Sequence, residues 1–165
     1  MLEYLSKYAQ KAYREISAII QNPGFLFSND PALSKREASY NYCYIHGFNR
    51  LIKNKRISKE KLLDALLFIE NNIENYLKNH YTNKKFIFYL NADTLVPAFT
   101  ITVVSFYKDR EIMESMNLEE LIDWYEENAY FDGLRILESF EEESEEQIET
   151  EYPSSTRSYV KLIET

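Results

Sequence analysis

The sequence predicts a single α+β domain over residues 1–165, and three observations lead to this prediction. Apolar residues recur at helical spacing before residue 80, the stretch from Phe86 to Tyr107 strongly favours β-structure, and short apolar segments follow near the end. With 45% hydrophobic and 15% aromatic residues, the chain has enough apolar side chains to build a core. We therefore expect about three N-terminal helices, a β-hairpin, a fourth helix, and one or two C-terminal strands in a small, mostly antiparallel sheet.

The three N-terminal helices are predicted from apolar stripes and from their end signals. The first is expected over about Leu2–Gln21, where an Asn-Pro-Gly sequence follows and ends it. The second is expected over about Pro31–Lys55, with apolar residues on two of its sides. The third begins after Ser58, a favourable N-cap residue, and runs to about Asn79.

The β-hairpin is predicted between Phe86 and Tyr107. Aromatic and β-branched residues are enriched in both halves, and the residues Asn91–Thr94 form a plausible connection. The second strand, Val96–Tyr107, has apolar residues on both faces, so we expect it to be central in the sheet and covered by helices. Pro97 cannot donate a hydrogen bond and is expected at the start of that strand or on an edge. The hairpin is accordingly interpreted as scaffold.

The C-terminal third contains one further helix and two candidate strands. Asn117 is expected to cap the fourth helix, with Glu120 placed to reach back to the backbone of Asn117. Leu134–Phe140 and Tyr159–Ile163 are the candidate third and fourth strands. The acidic run between them, residues 141–151, is interpreted as a loop.

Composition excludes several classes of site. One cysteine excludes an internal disulfide and a multi-cysteine zinc site, and the acidic residues lack the spacing of a calcium-binding loop. We therefore expect no cofactor and no metal. The first residues do not resemble a secretion signal, and no segment has the apolar length of a membrane span. A cytoplasmic location is expected on these grounds.

The net charge of −8 is unevenly distributed along the chain. Residues 1–109 carry 15 basic and 10 acidic side chains, whereas residues 110–165 carry 4 basic and 17 acidic ones. Either the two parts complement each other within one fold, or the acidic part forms a face directed at a basic partner.

The candidate partner-binding site lies in and after the fourth helix, where aromatic residues stand among acids. Aromatic side chains with an acidic rim would suit a basic protein surface, because tryptophan and tyrosine supply much of the energy of protein interfaces. Packing in the core is the alternative for the same aromatic residues. The site is predicted to comprise Glu119, Asp123, Trp124, Glu126, Glu127, Tyr130 and Phe131.

A weaker candidate is a stripe of Cys43, His46 and Arg50 on the second predicted helix. Arginine near a thiol lowers its pKa and can receive an anion. However, a nucleophile also needs an oxyanion site and an orienting group, and no glycine-rich turn supplies them. The basic cluster from Arg50 to Lys61 lacks the motifs of nucleic-acid-binding modules, so direct nucleic-acid binding is disfavoured.

The sequence as a whole favours a non-enzymatic protein-binding protein. An inhibitor of the immunity or antitoxin type, which neutralises a basic partner, fits the charge and size. A phage or plasmid anti-defence protein that imitates nucleic-acid charge is one alternative, and a small enzyme that uses Cys43, His46 and Arg50 is another. The 14 tyrosines are also compatible with a homodimer.

Overall fold

The computed structural model describes Arg14, Phe27 and residues 34–44, 57–94, 98–108, 112–128 and 156–165. Within these residues it contains three helices and four strands. In chain order they are α1 (Ser34–Tyr40), β1 (Tyr42–Tyr44), α2 (Lys59–His80), β2 (Lys85–Asp93), β3 (Ala98–Ser105), α3 (Leu118–Asn128) and β4 (Thr156–Glu164).

The four strands form one antiparallel sheet in the order β1-β3-β2-β4. The hairpin of β2 and β3 pairs from Phe86 with Ser105 to Asp93 with Ala98. Every residue of β3 is buried, as expected for a strand with apolar residues on both faces. The α+β class, the hairpin and the central position of its second strand are therefore confirmed.

The main core lies between one face of the sheet and the helices α2 and α3. Alternate residues of the hairpin point to this face, among them Phe88 and Ile101, because side chains alternate along a strand. The buried sides of α2 and α3 pack against them at helical spacing. The core residues contributed by the two helices are Leu62, Ala65, Leu66, Ile69, Ile73, Leu77, Leu118, Leu121, Ile122 and Tyr125.

Both predicted helix caps are confirmed. The Ser58 hydroxyl accepts a hydrogen bond from the Lys61 backbone N–H (3.5 Å) at the start of α2. At the start of α3 the Asn117 side chain accepts from the Glu120 N–H (2.8 Å), and the Glu120 carboxylate accepts from the Asn117 N–H (3.3 Å). This reciprocal pair is a capping box, which fixes where α3 begins and which residues it exposes.

The second predicted helix, Pro31–Lys55, is wrong at residues 41–44, where the chain turns after Tyr40 into strand β1. Residues 31–33 and 45–55 of that prediction lie outside the described residues. Two buried polar side chains explain the change. Asn41 donates from its side chain to the Val103 carbonyl oxygen (2.9 Å), and the Glu37 carboxylate accepts from the Ser105 N–H (2.8 Å). These bonds and the pairing of β1 satisfy backbone hydrogen-bonding groups of β3 on the side away from β2. Local helix propensity does not report such distant contacts.

The C-terminal strand β4 and the number of helices bear on the remaining predictions of secondary structure. The fourth strand is confirmed and is longer than predicted, since β4 runs from Thr156 to Glu164. The described residues contain three helices rather than four. The first predicted helix lies outside them except for Arg14, which is helical. The candidate strand at 134–140 and the acidic loop at 141–151 also lie outside the described residues.

Candidate partner-binding surface

Helix α3 presents its carboxylates to solvent because its apolar side is buried as predicted. Four apolar residues face the core, and the centre of the Tyr125 ring lies 4.6 Å from the centre of the Phe99 ring. Packing of this side against the sheet holds the helix in one orientation. The exposed carboxylates on the opposite side are those of Glu119, Glu120, Asp123, Glu126 and Glu127.

One flank of α3 carries Glu119, Asp123 and Glu126, which recur at helical spacing. The Lys59 ammonium from the start of α2 lies 2.6 Å from the Asp123 carboxylate. This hydrogen bond raises the pKa of Lys59 against the opposing effect of burial, and the charges of Asp123, Glu119 and Glu126 add to the increase. Within the described part of the chain, three carboxylates therefore lie near Lys59, and their charges outnumber its own.

The other flank of α3 carries Glu120, Trp124 and Glu127. Trp124 is half-buried against the core, and the Arg157 guanidinium from β4 lies 5.9 Å from the centre of its ring. This distance is typical of a cation–π contact. The indole face of Trp124 is thus already directed at a cationic group.

A cleft of about 360 Å³ opens beside this second flank. Residues 113–116 form one wall and the start of β4 forms the other. The Met116 N–H donates to the Ser158 carbonyl oxygen (2.9 Å), and the Val160 N–H donates to the Ser115 hydroxyl (2.9 Å), which ties the two walls together. The lining residues are Met113, Glu114, Ser115, Met116, Thr156, Arg157 and Ser158.

The structure brings five of the seven predicted site residues together on α3 and divides them between its two flanks. Trp124 and Glu127 lie on the flank beside Arg157, and the other three lie on the flank beside Lys59. Tyr130 and Phe131 lie outside the described residues. Sequence reasoning missed Lys59, Arg157 and the cleft. A local signal for the cleft was the apolar pair Ile112-Met113 between acidic residues.

The proposed stripe of Cys43, His46 and Arg50 loses its geometric basis. It required all three residues on one helix, but Cys43 lies in β1 opposite Ile101 of β3. The helical spacing that was expected to bring Cys43 to His46 is therefore wrong at Cys43. His46 and Arg50 lie outside the described residues.

A second cluster of charged side chains joins α2 to β4. The Lys161 ammonium donates to the carboxylates of Glu70 and Glu74, the latter at 2.7 Å. Burial alone would lower the pKa of Lys161, but these hydrogen bonds outweigh it and the pKa is raised. Burial, followed by the Glu70 charge, raises the pKa of neighbouring Tyr159 to about 12. Because each charge has a partner, this cluster is interpreted as structural.

Two particular kinds of feature, a membrane-spanning helix and a metal-binding cluster, are not found among the described residues. None of their helices has the length and apolar character needed to cross a membrane, and no three of their His, Cys, Asp or Glu side chains are grouped to hold a metal ion. No protein-family model, no curated protein and no solved structure matches this chain. The surface of α3 and its neighbours therefore carries the functional interpretation by itself.

Proposed function

We propose that this chain is a non-enzymatic protein-binding protein, an inhibitor of the immunity or antitoxin type, which acts in the cytoplasm. Its α3 surface binds a basic protein partner. The observation that carries the proposal is an excess of negative charge on a fixed helix. Five exposed carboxylates of α3 are accompanied by two nearby cations in the described part of the chain, Lys59 and Arg157.

This arrangement supports rapid and selective association with a basic surface. Carboxylates that project from one helix create a negative field, which steers a positively charged partner and suppresses acidic ones. Trp124 adds a large, half-buried aromatic side chain beside these charges. Tryptophan is enriched among the residues that dominate binding energy. The surface therefore combines electrostatic steering of the partner with a residue of the type that holds partners in place.

Charge reversal on α3 is expected to weaken binding without unfolding the protein. Glu126→Lys and Glu127→Lys each change one exposed residue, one on each flank. We expect the association rate of the partner, captured from the native cell, to fall about tenfold or more at low salt. The rate is measured by surface binding kinetics over a series of salt concentrations, because screening should reduce the difference between the variants.

Asp64→Lys is the matched control, since Asp64 is an exposed carboxylate on α2 and its replacement changes the net charge equally. The control should bind nearly as fast as the natural chain. If all three variants lose the same fraction of the rate, net charge rather than the α3 surface is responsible and the proposal is wrong. A nucleic-acid-binding protein as the captured partner would instead favour the alternative of an anti-defence protein that imitates nucleic-acid charge.

A further inference from the structure

We propose that the cleft between residues 113–116 and β4 receives a large apolar side chain of the partner, from a segment whose flanking residues are basic. This inference rests on the proposed function, because it identifies how the partner of the α3 surface is anchored. The occupant to which it commits is a basic peptide segment with one apolar anchor residue.

The cleft has the size of a binding pocket and a wall that is held in place. Its volume of about 360 Å³ falls within the range of ligand-binding pockets. Met113 and Met116 both line it, and methionine adapts its shape to irregular apolar partners. Two hydrogen bonds to β4 hold the methionine-bearing wall in place, so the cleft is formed before a partner arrives.

Two exposed apolar side chains lie at and beside the cleft, namely Met113 in its lining and Ile112 next to Met113 in the chain. Ile112 is 45% exposed and Met113 is 55% exposed, although both belong to residue types that are usually buried. They stand next to each other, and Met113 continues into the cleft. Adjacent exposed apolar side chains that lead into a pocket are typical of interaction sites.

The charges around the cleft select the residues that flank the apolar anchor. Arg157 lines the cleft, but its guanidinium lies over the Trp124 ring and links the cleft to α3. Among the described residues, Arg157 is exposed beside three exposed carboxylates, Glu114 at the cleft and Glu120 and Glu127 on the adjacent flank. These described groups carry a net negative charge beside the two lining methionines, which complements an apolar residue between lysines or arginines.

Methionine-methyl NMR tests this inference on the full chain, which has three methionines, two of them in the cleft. The probes are short capped peptides with a central leucine between lysines, a central glycine between lysines, and a central leucine between glutamates. We expect the lysine–leucine peptide to shift the Met113 and Met116 signals, to leave Met1 unmoved, and to bind about tenfold more tightly than the glycine peptide.

Each other outcome overturns a defined part of the account. If both lysine peptides bind equally and shift the α3 amides but not the two methionine signals, the cleft is not the anchor site although the proposed function stands. If the glutamate peptide binds best in the cleft, the positive charge of Arg157 decides which peptide binds, and the charge assigned to the occupant is wrong. If no peptide shifts either region, both the inference and the proposed function fail.

A pair of neighbouring substitutions separates the cleft from general surface hydrophobicity. Met113→Ser removes a side chain that lines the cleft, whereas Ile112→Ser removes an adjacent exposed one that does not. We expect Met113→Ser to abolish the tenfold preference for the leucine peptide and Ile112→Ser to retain it. Equal loss in both variants would contradict binding within the cleft.

Discussion

Replacement of Ile101 by aspartate is expected to prevent the chain from folding. Ile101 is 2% exposed at the middle of β3, where Leu90 of β2 pairs on one side and Cys43 of β1 on the other. A carboxylate there would lie in the main core without a cationic partner. Burial of an unpaired charge costs several kcal/mol or more, which is comparable to the ~5–15 kcal/mol stability of a whole domain. Circular dichroism during thermal unfolding should show no cooperative transition.

Two controls make this prediction specific to the core. Ile101→Val should fold and lose about 0.5–1.5 kcal/mol, since it removes one methylene group. Leu162→Asp places the same charge on edge strand β4, at a residue that is 43% exposed, and should remain folded. A soluble Ile101→Asp variant with a cooperative transition near that of the natural chain would contradict the assignment of this sheet face as the core.

The second large effect is expected at the charged cluster between α2 and β4. Lys161→Met removes the cation that pairs with Glu70, a carboxylate only 4% exposed. The loss of one partner of a buried ion pair typically costs about 3–5 kcal/mol, because the remaining charge stays buried and uncompensated. We therefore expect the free energy of unfolding, measured by urea denaturation, to fall by about that amount.

A double-mutant cycle separates this cost from the net value of the pair. Glu70→Gln combined with Lys161→Met removes both charges and should recover most of the lost stability. Lys85→Met is the matched control on the sheet, because it breaks the exposed Lys85–Glu164 pair and should cost about 1 kcal/mol or less. Strictly additive effects of the two substitutions would show that Glu70 and Lys161 are not energetically coupled.

Much of the fold could be predicted because it is encoded locally. The hairpin follows from alternating β-branched and aromatic residues, and the capping box at Asn117 follows from residues three positions apart. The predicted helix at 31–55 was wrong where distant partners decided the structure. Glu37 and Asn41 bind the backbone of β3 more than 60 residues away, and no local pattern reports such contacts.

The candidate site shows the same division between local and distant information. The placement of the α3 carboxylates and Trp124 on one helix could be predicted, because they all lie within one short amphipathic segment of the sequence. Their separation into two flanks could not, since it depends on Lys59 from α2 and Arg157 from β4. The cleft depends on residues about 40 positions apart in the chain that meet only in the folded protein.

Site-specific photo-crosslinking in the native cell tests the central claim most directly, namely that the α3 surface binds a basic partner. A photoreactive amino acid replaces Glu127 on α3 in one variant and Asp64 on α2 in the other, both exposed positions. We predict an adduct with a basic protein from position 127, in a yield that falls at high salt, and little or no adduct from position 64. No adduct at position 127, or equal adducts from both positions, would contradict it.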